Sequence, residues 1–367
     1  MPPTPTPRLA TIEHARRAVL LQGTQAGAGA IESWIAVSWQ RCLERGQRPQ
    51  DSVGFDAISA TAMRRAAEAS RALRAAAAPV LADLARVIAP TRYFSILTDS
   101  QGIVVDIGGQ PDFELAPVRA IARIGVDLSE RSVGTTAISA ALTELHPVWL
   151  HRGEHFFEAT AVFSCAGAPI FGPDGACAGM LDLTGVHAQE RPELRHLAAQ
   201  MAQRVELGLL LAVPHQSLLQ LQWPGAASGA GAALLAVDGE GRVAGANRSA
   251  CAMLGLQRDA GGSSFGPLDD VFATSAGRLL SLRPGEPPLP VPLWSGLQVM
   301  VASAHSDACE AIAPAQAQRA ASRLRDAEAD LIRRTLDSTR GNVADAAHRL
   351  GVSRATVYRR LKRRAPR

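Results

Sequence analysis

The sequence predicts an α+β multidomain chain that closes in an all-α helix-turn-helix. Three observations carry that reading. Helical spacing of apolar residues runs from residue 8 to residue 75. Short apolar runs separated by Asp, Ser and Gly turns then alternate with helical stretches, once from about residue 76 and again from about residue 231. Finally, Gly341 to Arg364 holds two capped helical patterns joined by a glycine. A chain of 367 residues has room for two or three domains of about 100–200 residues each. Its 47% hydrophobic content supplies their cores.

In order along the chain, MPPTPTPR is Pro-rich and reads as disordered, with no apolar core of a signal peptide behind it. Within the N-terminal segment 1–75, residues 8–75 read as helical: Ile12, Ala15, Val19 and Leu20 first, then Ile31 to Leu43, then Ala57 to Leu73. Trp34, Trp39 and Leu43 form a packing stripe there. From residue 76 to 213 the pattern is mixed. Tyr93 to Thr98 and Ile103 to Ile107 are strand-like around the turn residues Asp99, Ser100 and Gly102. A helix is expected over Asp112 to Ile124, followed by a Gly-containing loop and helix in SERSVGTTAISAAL. Pro147 to Leu150, Ala161 to Ile170 and Ala178 to Leu183 are further strands, the last pair joined by the hairpin turn GPDG. Leu194, Leu197, Met201, Val205 and Leu209 stripe a closing helix.

Residues 214–230 read as a linker rich in Gln, Gly, Ala and Ser. A second α+β unit spans 231–305, opening with Ala233 to Val237, a turn at Asp238 to Gly241, and Val243 to Asn247 before a helix. Its remainder is short and Pro-rich. Residues 306–322 form a second, Ala/Gln-rich linker, and 323–367 the helix-turn-helix, with Leu324, Ala327, Leu331, Ile332 and Leu336 on a preceding helix.

In that closing unit Asn342 is a helix N-cap with Asp345 three residues on, and Gly351 ends the helix. Ser353 caps the second helix, where Val357 and Leu361 face inward and Thr356, Arg359, Lys362 and Arg363 face out. A solvated basic tail would need neither the caps nor the turn. From Ser353 onward no acidic residue occurs, which concentrates positive field on this element although the whole chain carries only +4. Expected DNA contacts are Asn342, Ser353, Arg354, Thr356, Arg359, Arg360, Lys362 and Arg363. Ser353 and Arg354 would approach base edges, and Thr356, Arg359, Arg360, Lys362 and Arg363 phosphates, with Arg359 within reach of bases as well.

Composition excludes several chemistries. Lys362 is the single lysine, so no P-loop, Schiff-base or S-x-x-K site can be built from these residues. Cys42, Cys165, Cys177, Cys251 and Cys309 are odd in number and widely spaced, which favours reduced thiols and a cytoplasmic setting. No apolar run reaches the roughly 20 residues of a membrane span. His151 to His155 reads H-R-G-E-H, formally a zinc-peptidase motif. Gly153 and the preceding strand argue against the helix such a motif needs. No catalytic residue, cofactor or metal is expected, and the chain is not read as an enzyme.

Trp149, His151, His155, Phe157, Phe163 and Cys165 lie on or near the strands from Pro147 to Ile170 and are the candidate walls of a small-molecule pocket, an apolar cavity with a few polar groups.

The closing G-N…A-A…L-G-V-S-R-x-T-x-Y-R-R-L-K resembles the DNA-binding module of the Fis family. SWQRCLERG, SVGTTAISAAL, EHFF and FSCAGAPIFGPDGACAGMLDLTG resemble the N-terminal signature and GAF domain of AcoR-like (acetoin-catabolism-activator-like) regulators, with Thr136 and Ser139 where relatives usually carry Asn and Gly. The unit at 231–305 resembles the opening of a PAS domain. These resemblances imply a GAF-like sensor, a PAS-like unit and a Fis-type reader of double-stranded DNA that works as a homodimer and answers a small-molecule effector. Members of that group place a sigma-54-interacting AAA+ ATPase between sensor and reader, and these residues leave no place for one. The chain is therefore expected to regulate transcription without its own ATPase, through occupancy, RNA polymerase or an ATPase-bearing regulator. The alternative is a GAF-domain co-regulator working through a partner protein with only non-specific DNA contact.

Overall fold

The computed structural model describes residues 7–22, 31–225, 232–256 and 265–304, together with Thr339 and Asn342. The chain divides into two compact units, Met1–Ala226 with Ala232–Ser303, and Ala227–Gly231 with Ala304–Arg367. In the second unit the Thr339 hydroxyl donates to the Asn342 carbonyl (3.2 Å), and the Asn342 N–H to the Thr339 carbonyl (3.0 Å). The other residues expected to touch DNA lie outside the described residues.

The first unit is built on two five-stranded antiparallel sheets. It opens with α1 (Pro7–Arg16), a π-helical turn (Arg17–Leu21) and α2 (Ser33–Glu44), followed by α3 (Ala60–Ala69) and α4 (Arg71–Ile88). Ser59 caps α3 by accepting from the Ala62 N–H. Pro79 sits inside α4 without ending it, and the domain boundary placed at residue 75 cuts this helix. That boundary is corrected: helical spacing runs continuously from Leu73 through Ala77, Val80, Leu81 and Leu84 to Ile88, all buried on one sheet face.

Strands β1 (Tyr93–Asp99) and β2 (Val104–Gly108) form a hairpin. The Asp99 carboxylate accepts from the N–H groups of Gln101 and Ile103, and Gly102 takes φ 84°. Next come α5 (Ala116–Ile121), α6 (Glu130–Val133), α7 (Ala137–Glu144), β3 (Val148–His151), β4 (Phe163–Phe171), β5 (Cys177–Val186) and α8 (Leu194–Leu211). The helix expected over Asp112 to Ile124 shrinks to α5. A turn closed by Leu115 N–H on the Asp112 carbonyl precedes it, and Pro117 stands in its first turn. The sheet order is β2-β1-β5-β4-β3.

Alternation along the strands sorts two cores. Leu181 and Leu183 of β5 and Ala166, Ala168 and Ile170 of β4 face α4 and α8. Phe163 and Cys165 of β4 and Met180 and Val186 of β5 face the opposite side. There they join Ile12, Val19, Trp34, Ile35 and Trp39 from the N-terminal helices. The helical stretch before residue 76 thus shares one core with the sheet.

The second sheet runs β8-β7-β6-β10-β9. Its strands are β6 (Ser217–Gln222), β7 (Ala233–Val237), β8 (Val243–Ala246), β9 (Leu289–Pro292) and β10 (Gln298–Ser303), with α9 (Arg248–Leu254), α10 (Leu268–Val271) and α11 (Ala276–Leu280) between β8 and β9. The stretch read as linker 214–230 contains β6, the middle strand of this sheet. Its polar setting masked the buried pair Leu219 and Leu221, which alternate with glutamines. Asn247 ties β7 to α9: its side-chain oxygen accepts from Leu234 and Ala250 N–H, and its amide donates to the Ala232 carbonyl. The β4–β5 turn meets this sheet where the Ala246 N–H donates to the Pro173 carbonyl (2.7 Å) and Arg248 stacks on Phe171 (4.5 Å).

Candidate functional site

A buried cavity of about 30 Å³ lies between the first sheet and the helices on its N-terminal-helix side. By that measure it holds about two waters' worth of atoms. Its walls are Ile121, Leu128, Val133, Ala137, Ile138, Phe163 and Phe55, with His155, Cys165, Asp182, Thr184, Thr136 and Thr160 as the polar members.

The loop entering α7 shapes one wall. Gly134 turns the chain at φ 63°, and a Cβ there would meet Phe157 at 2.9 Å. Thr136 and Ser139 form a reciprocal capping box, each side chain meeting the other's backbone N–H. Thr136 and Ser139 are therefore a matched pair. Gly167 on β4 brings α7 down onto the sheet, since a Cβ would lie 2.7 Å from the Ala137 carbonyl oxygen. The SWQRC segment of α2 locks the same loop from outside. Ser38 (2.6 Å), Arg41 (2.8 Å) and Arg45 (2.7 Å) all donate to the Glu130 carboxylate, and Ser38 also bonds Thr135 (2.7 Å). Burial pushes Glu130 up, but the hydrogen bonds from Arg41, Ser38 and Arg45 outweigh it and hold the carboxyl below its ordinary range.

Two polar atoms facing the cavity find no hydrogen-bond partner among the described residues: Asp182 Oδ1 and His155 Nε2. Both residues are fully buried. Asp182 Oδ2 accepts from the Thr184 hydroxyl. Burial raises the Asp182 carboxyl to about 7, against the opposing pull of Thr184 and the Leu183 N–H. His155 Nδ1 lies 2.9 Å from the Arg152 carbonyl. A carbonyl only accepts, so Nδ1 carries the hydrogen and Nε2 presents a lone pair. Burial lowers this imidazole to about 4, so it is neutral. Cys165 Sγ contacts Thr184 Oγ1 at 3.4 Å, and burial raises its thiol well above the ordinary range, which leaves it unreactive. A cavity with one neutral imidazole acceptor and one carboxyl that burial pushes towards its protonated form can hold a small neutral molecule that hydrogen-bonds.

Of the six residues expected to wall a pocket, the structure brings His155, Phe163 and Cys165 to the cavity. Trp149 and His151 are corrected to the other face of the sheet. Val148 and Leu150 of β3 point to the cavity-side core, so the period of two turns Trp149 and His151 away, stacked at 6.3 Å. His151 Nδ1 there bonds Ser164 Oγ (2.8 Å). Phe157 packs edge-on against Phe156 within the cavity-side core but is not one of the residues that wall the cavity. The H-R-G-E-H stretch is the end of β3 followed by a 3₁₀ turn, Arg152–Glu154, which separates the two imidazoles. Cys165 and Cys177 have separate partners, Thr184 and the Gly179 carbonyl. Asp182 and Thr184 were missed, although a lone Asp within the apolar run of β5 was their signal.

Among the described residues no helix is long and apolar enough to cross a membrane.

Residues 323–363 match the model for the Fis family of bacterial regulatory proteins, and residues 6–206 match that for the N-terminal domain of MimR. The acetoin dehydrogenase operon transcriptional activator AcoR of Bacillus subtilis is 29% identical over 172 residues, 47% of this chain and 28% of that protein. The propane 2-monooxygenase operon transcriptional activator MimR of Mycolicibacterium smegmatis is 32% identical over 181 residues, 48% of this chain and 30% of that protein. The chain thus spans about a third or less of the length of each. A solved structure, the E. coli DhaR(N)-DhaL complex, aligns over 74% of this chain and 98% of its own with 16% identity and a TM-score of 0.46. With more than half its length under one family model, the chain belongs to the MimR N-terminal-domain family, related to the AcoR-type activators and carrying a Fis-family segment near its C-terminus.

Proposed function

We propose that this chain is a ligand-responsive, sequence-specific DNA-binding transcriptional regulator that acts without an ATPase of its own. The single observation that carries ligand responsiveness is the pair of unpartnered buried atoms, Asp182 Oδ1 and His155 Nε2, facing an otherwise apolar cavity. Buried polar groups are normally hydrogen-bonded, and each one left open costs about 1–3 kcal/mol. A ligand that supplies a hydroxyl to His155 and a second oxygen or hydroxyl to Asp182 removes that cost.

The cavity's largely apolar lining, with a neutral imidazole and a buried carboxyl shifted towards its protonated form, favours small neutral alcohols, ketones and hydroxyketones over ions. One relative is named for an acetoin dehydrogenase operon, and acetoin is a hydroxyketone of that class. DNA binding through Ser353, Arg354 and the outward basic face rests on the Fis-family match, with a homodimer reading half-sites about one helical turn apart. Action without a motor rests on the single lysine, Lys362, since a Walker-type loop cannot be built from these residues. The chain is read as non-enzymatic and cytoplasmic, with RNA polymerase or an ATPase-bearing regulator as its onward partner.

The test is a thermal-shift screen of the full chain against small alcohols, ketones, aromatics and organic acids, followed by shift assays on the DNA upstream of its own operon with competitor DNA. Hits confined to small neutral oxygenated compounds, and binding that survives competitor, support the reading. Hits among carboxylates would contradict the cavity chemistry. Equal binding to competitor would favour a co-regulator that works through a partner protein.

A further inference from the structure

The site described above includes a contribution from the N-terminal helix that its own strands do not make. Segment 152–156 carries His155 into the cavity, and five consecutive carbonyls along it are occupied by donors. The Arg152 carbonyl accepts from both the N–H (3.0 Å) and Nδ1 (2.9 Å) of His155. Arg16 of α1 donates Nη1 to the carbonyls of Gly153 (2.9 Å) and His155, and Nη2 to that of Phe156 (2.9 Å). Trp39 Nε1 of α2 takes the remaining Glu154 carbonyl at 3.0 Å.

Arg16 is itself buried, and its guanidinium lies 5.7 Å from the centre of the Trp39 ring. Gly153 makes the approach possible, because a Cβ there would meet Ile12 at 3.1 Å and Arg16 at 3.2 Å. On the same helix, Arg8 pairs with Glu154 (3.0 Å) and Glu190 (2.8 Å), while the other Glu154 oxygen accepts from the His151 N–H (2.6 Å). Arg152 holds φ 50°, a left-handed conformation uncommon for a non-glycine residue, which persists only where its surroundings hold it.

We infer that Arg16 is a positioning residue for ligand recognition: its planar fork fixes the 152–156 carbonyls so that His155 presents Nε2 as an acceptor inside the cavity. The inference rests on the ligand reading proposed above. A lysine offers one point charge on a flexible stem and cannot hold three carbonyls in a plane, so Arg16→Lys keeps the charge and loses the fork. The prediction separates positioning from mere stability, because only a ligand that donates a hydrogen uses Nε2.

The experiment compares 2-butanol, which can donate, with 2-butanone, which cannot. Both are titrated into full-length wild type, Arg16→Lys, His155→Phe and the double variant. Arg16→Lys should weaken 2-butanol on the order of tenfold, which is about 1.4 kcal/mol, and leave 2-butanone within about twofold. In the His155→Phe background it should add nothing. Equal losses for both compounds, or an unchanged alcohol-to-ketone ratio, overturn the assignment. ¹⁵N-histidine NMR of the same proteins keeps the two readings apart. Arg16→Lys should abolish the Nδ1–H signature of His155. If that signature changes while neither compound binds wild type, the cavity reading falls and the positioning role stands. A retained signature overturns the positioning role whatever binds. If Arg16→Lys does not fold, Trp39→Phe removes one donor from the same segment and should move the same ratio in the same direction. An unmoved ratio there counts equally against it.

Discussion

Replacing Asp182 with asparagine removes the buried carboxyl of the cavity while keeping its shape. Burial raises this carboxyl from 3.8 to about 7. About three pKa units at about 1.4 kcal/mol each make about 4 kcal/mol of differential proton binding. Between those values the folded chain holds the proton and the unfolded chain has lost it. Stability from this group is therefore full below the unfolded value, falls as pH rises towards about 7, and is flat above. The variant amide cannot titrate. The wild-type-minus-variant stability should therefore drop by about 2 kcal/mol between about pH 5.5 and about pH 8. Urea unfolding of both proteins across that range measures it, with equal m-values required at each pH. His151 and His155, both lowered to about 4, contribute with the opposite sign, since their stability grows as pH rises, but they are present in both proteins and cancel. Glu154 and Glu206, both raised to about 7 mainly by burial, cancel in the same way. A difference that does not vary with pH would mean Asp182 ionises like an exposed aspartate, and the cavity would then be charged.

Four further outcomes are expected. Gly167→Ala places a methyl 2.7 Å from the Ala137 carbonyl and should cost about 1–3 kcal/mol in urea unfolding by lifting α7; an unchanged midpoint would mean that helix is not seated on β4. Arg41→Met leaves Glu130 to Ser38 and the half-exposed Arg45, and should cost about 1–2 kcal/mol near neutral pH. That cost should shrink as acid protonates Glu130, whose lowered pKa gives stability only above its range, and a pH-independent cost would contradict the ion pair. For DNA binding, Arg354→Ala should relax one base-pair preference at about 1–3 kcal/mol, while Lys362→Ala should shallow the salt dependence. Uniform weakening by the first, or an unchanged slope in the second, would remove those roles.

The strands of the first sheet were legible because their ends carry turn chemistry, as in Asp99 to Gly102 and Gly172 to Gly175. The stripe Trp34, Trp39 and Leu43 was legible as packing. What helical spacing could not show was its partner: α2 closes on Glu130 and Thr135, some 90 residues away, through Ser38 and Arg41. Which face of β3 borders the cavity is likewise a tertiary matter. Alternation correctly separates Trp149 and His151 from Val148 and Leu150, but it does not say which pair looks inward. Asp182 was visible as a polar residue in an apolar strand, yet nothing local says that its second oxygen is unpartnered. β6 escaped because Gln220 and Gln222 alternate with leucines in a stretch otherwise rich in loop formers.

A small neutral compound in the cavity should alter DNA binding. The most direct test is the anisotropy of labelled upstream DNA titrated with the full chain, with and without the best small alcohol or hydroxyketone, for wild type and for His155→Phe. In wild type the compound should change the DNA Kd several-fold, and DNA should change the compound's Kd by the same factor. In His155→Phe the compound should have no effect on DNA affinity. A compound that binds wild type without moving its DNA affinity, or that moves the variant's equally, would contradict the account.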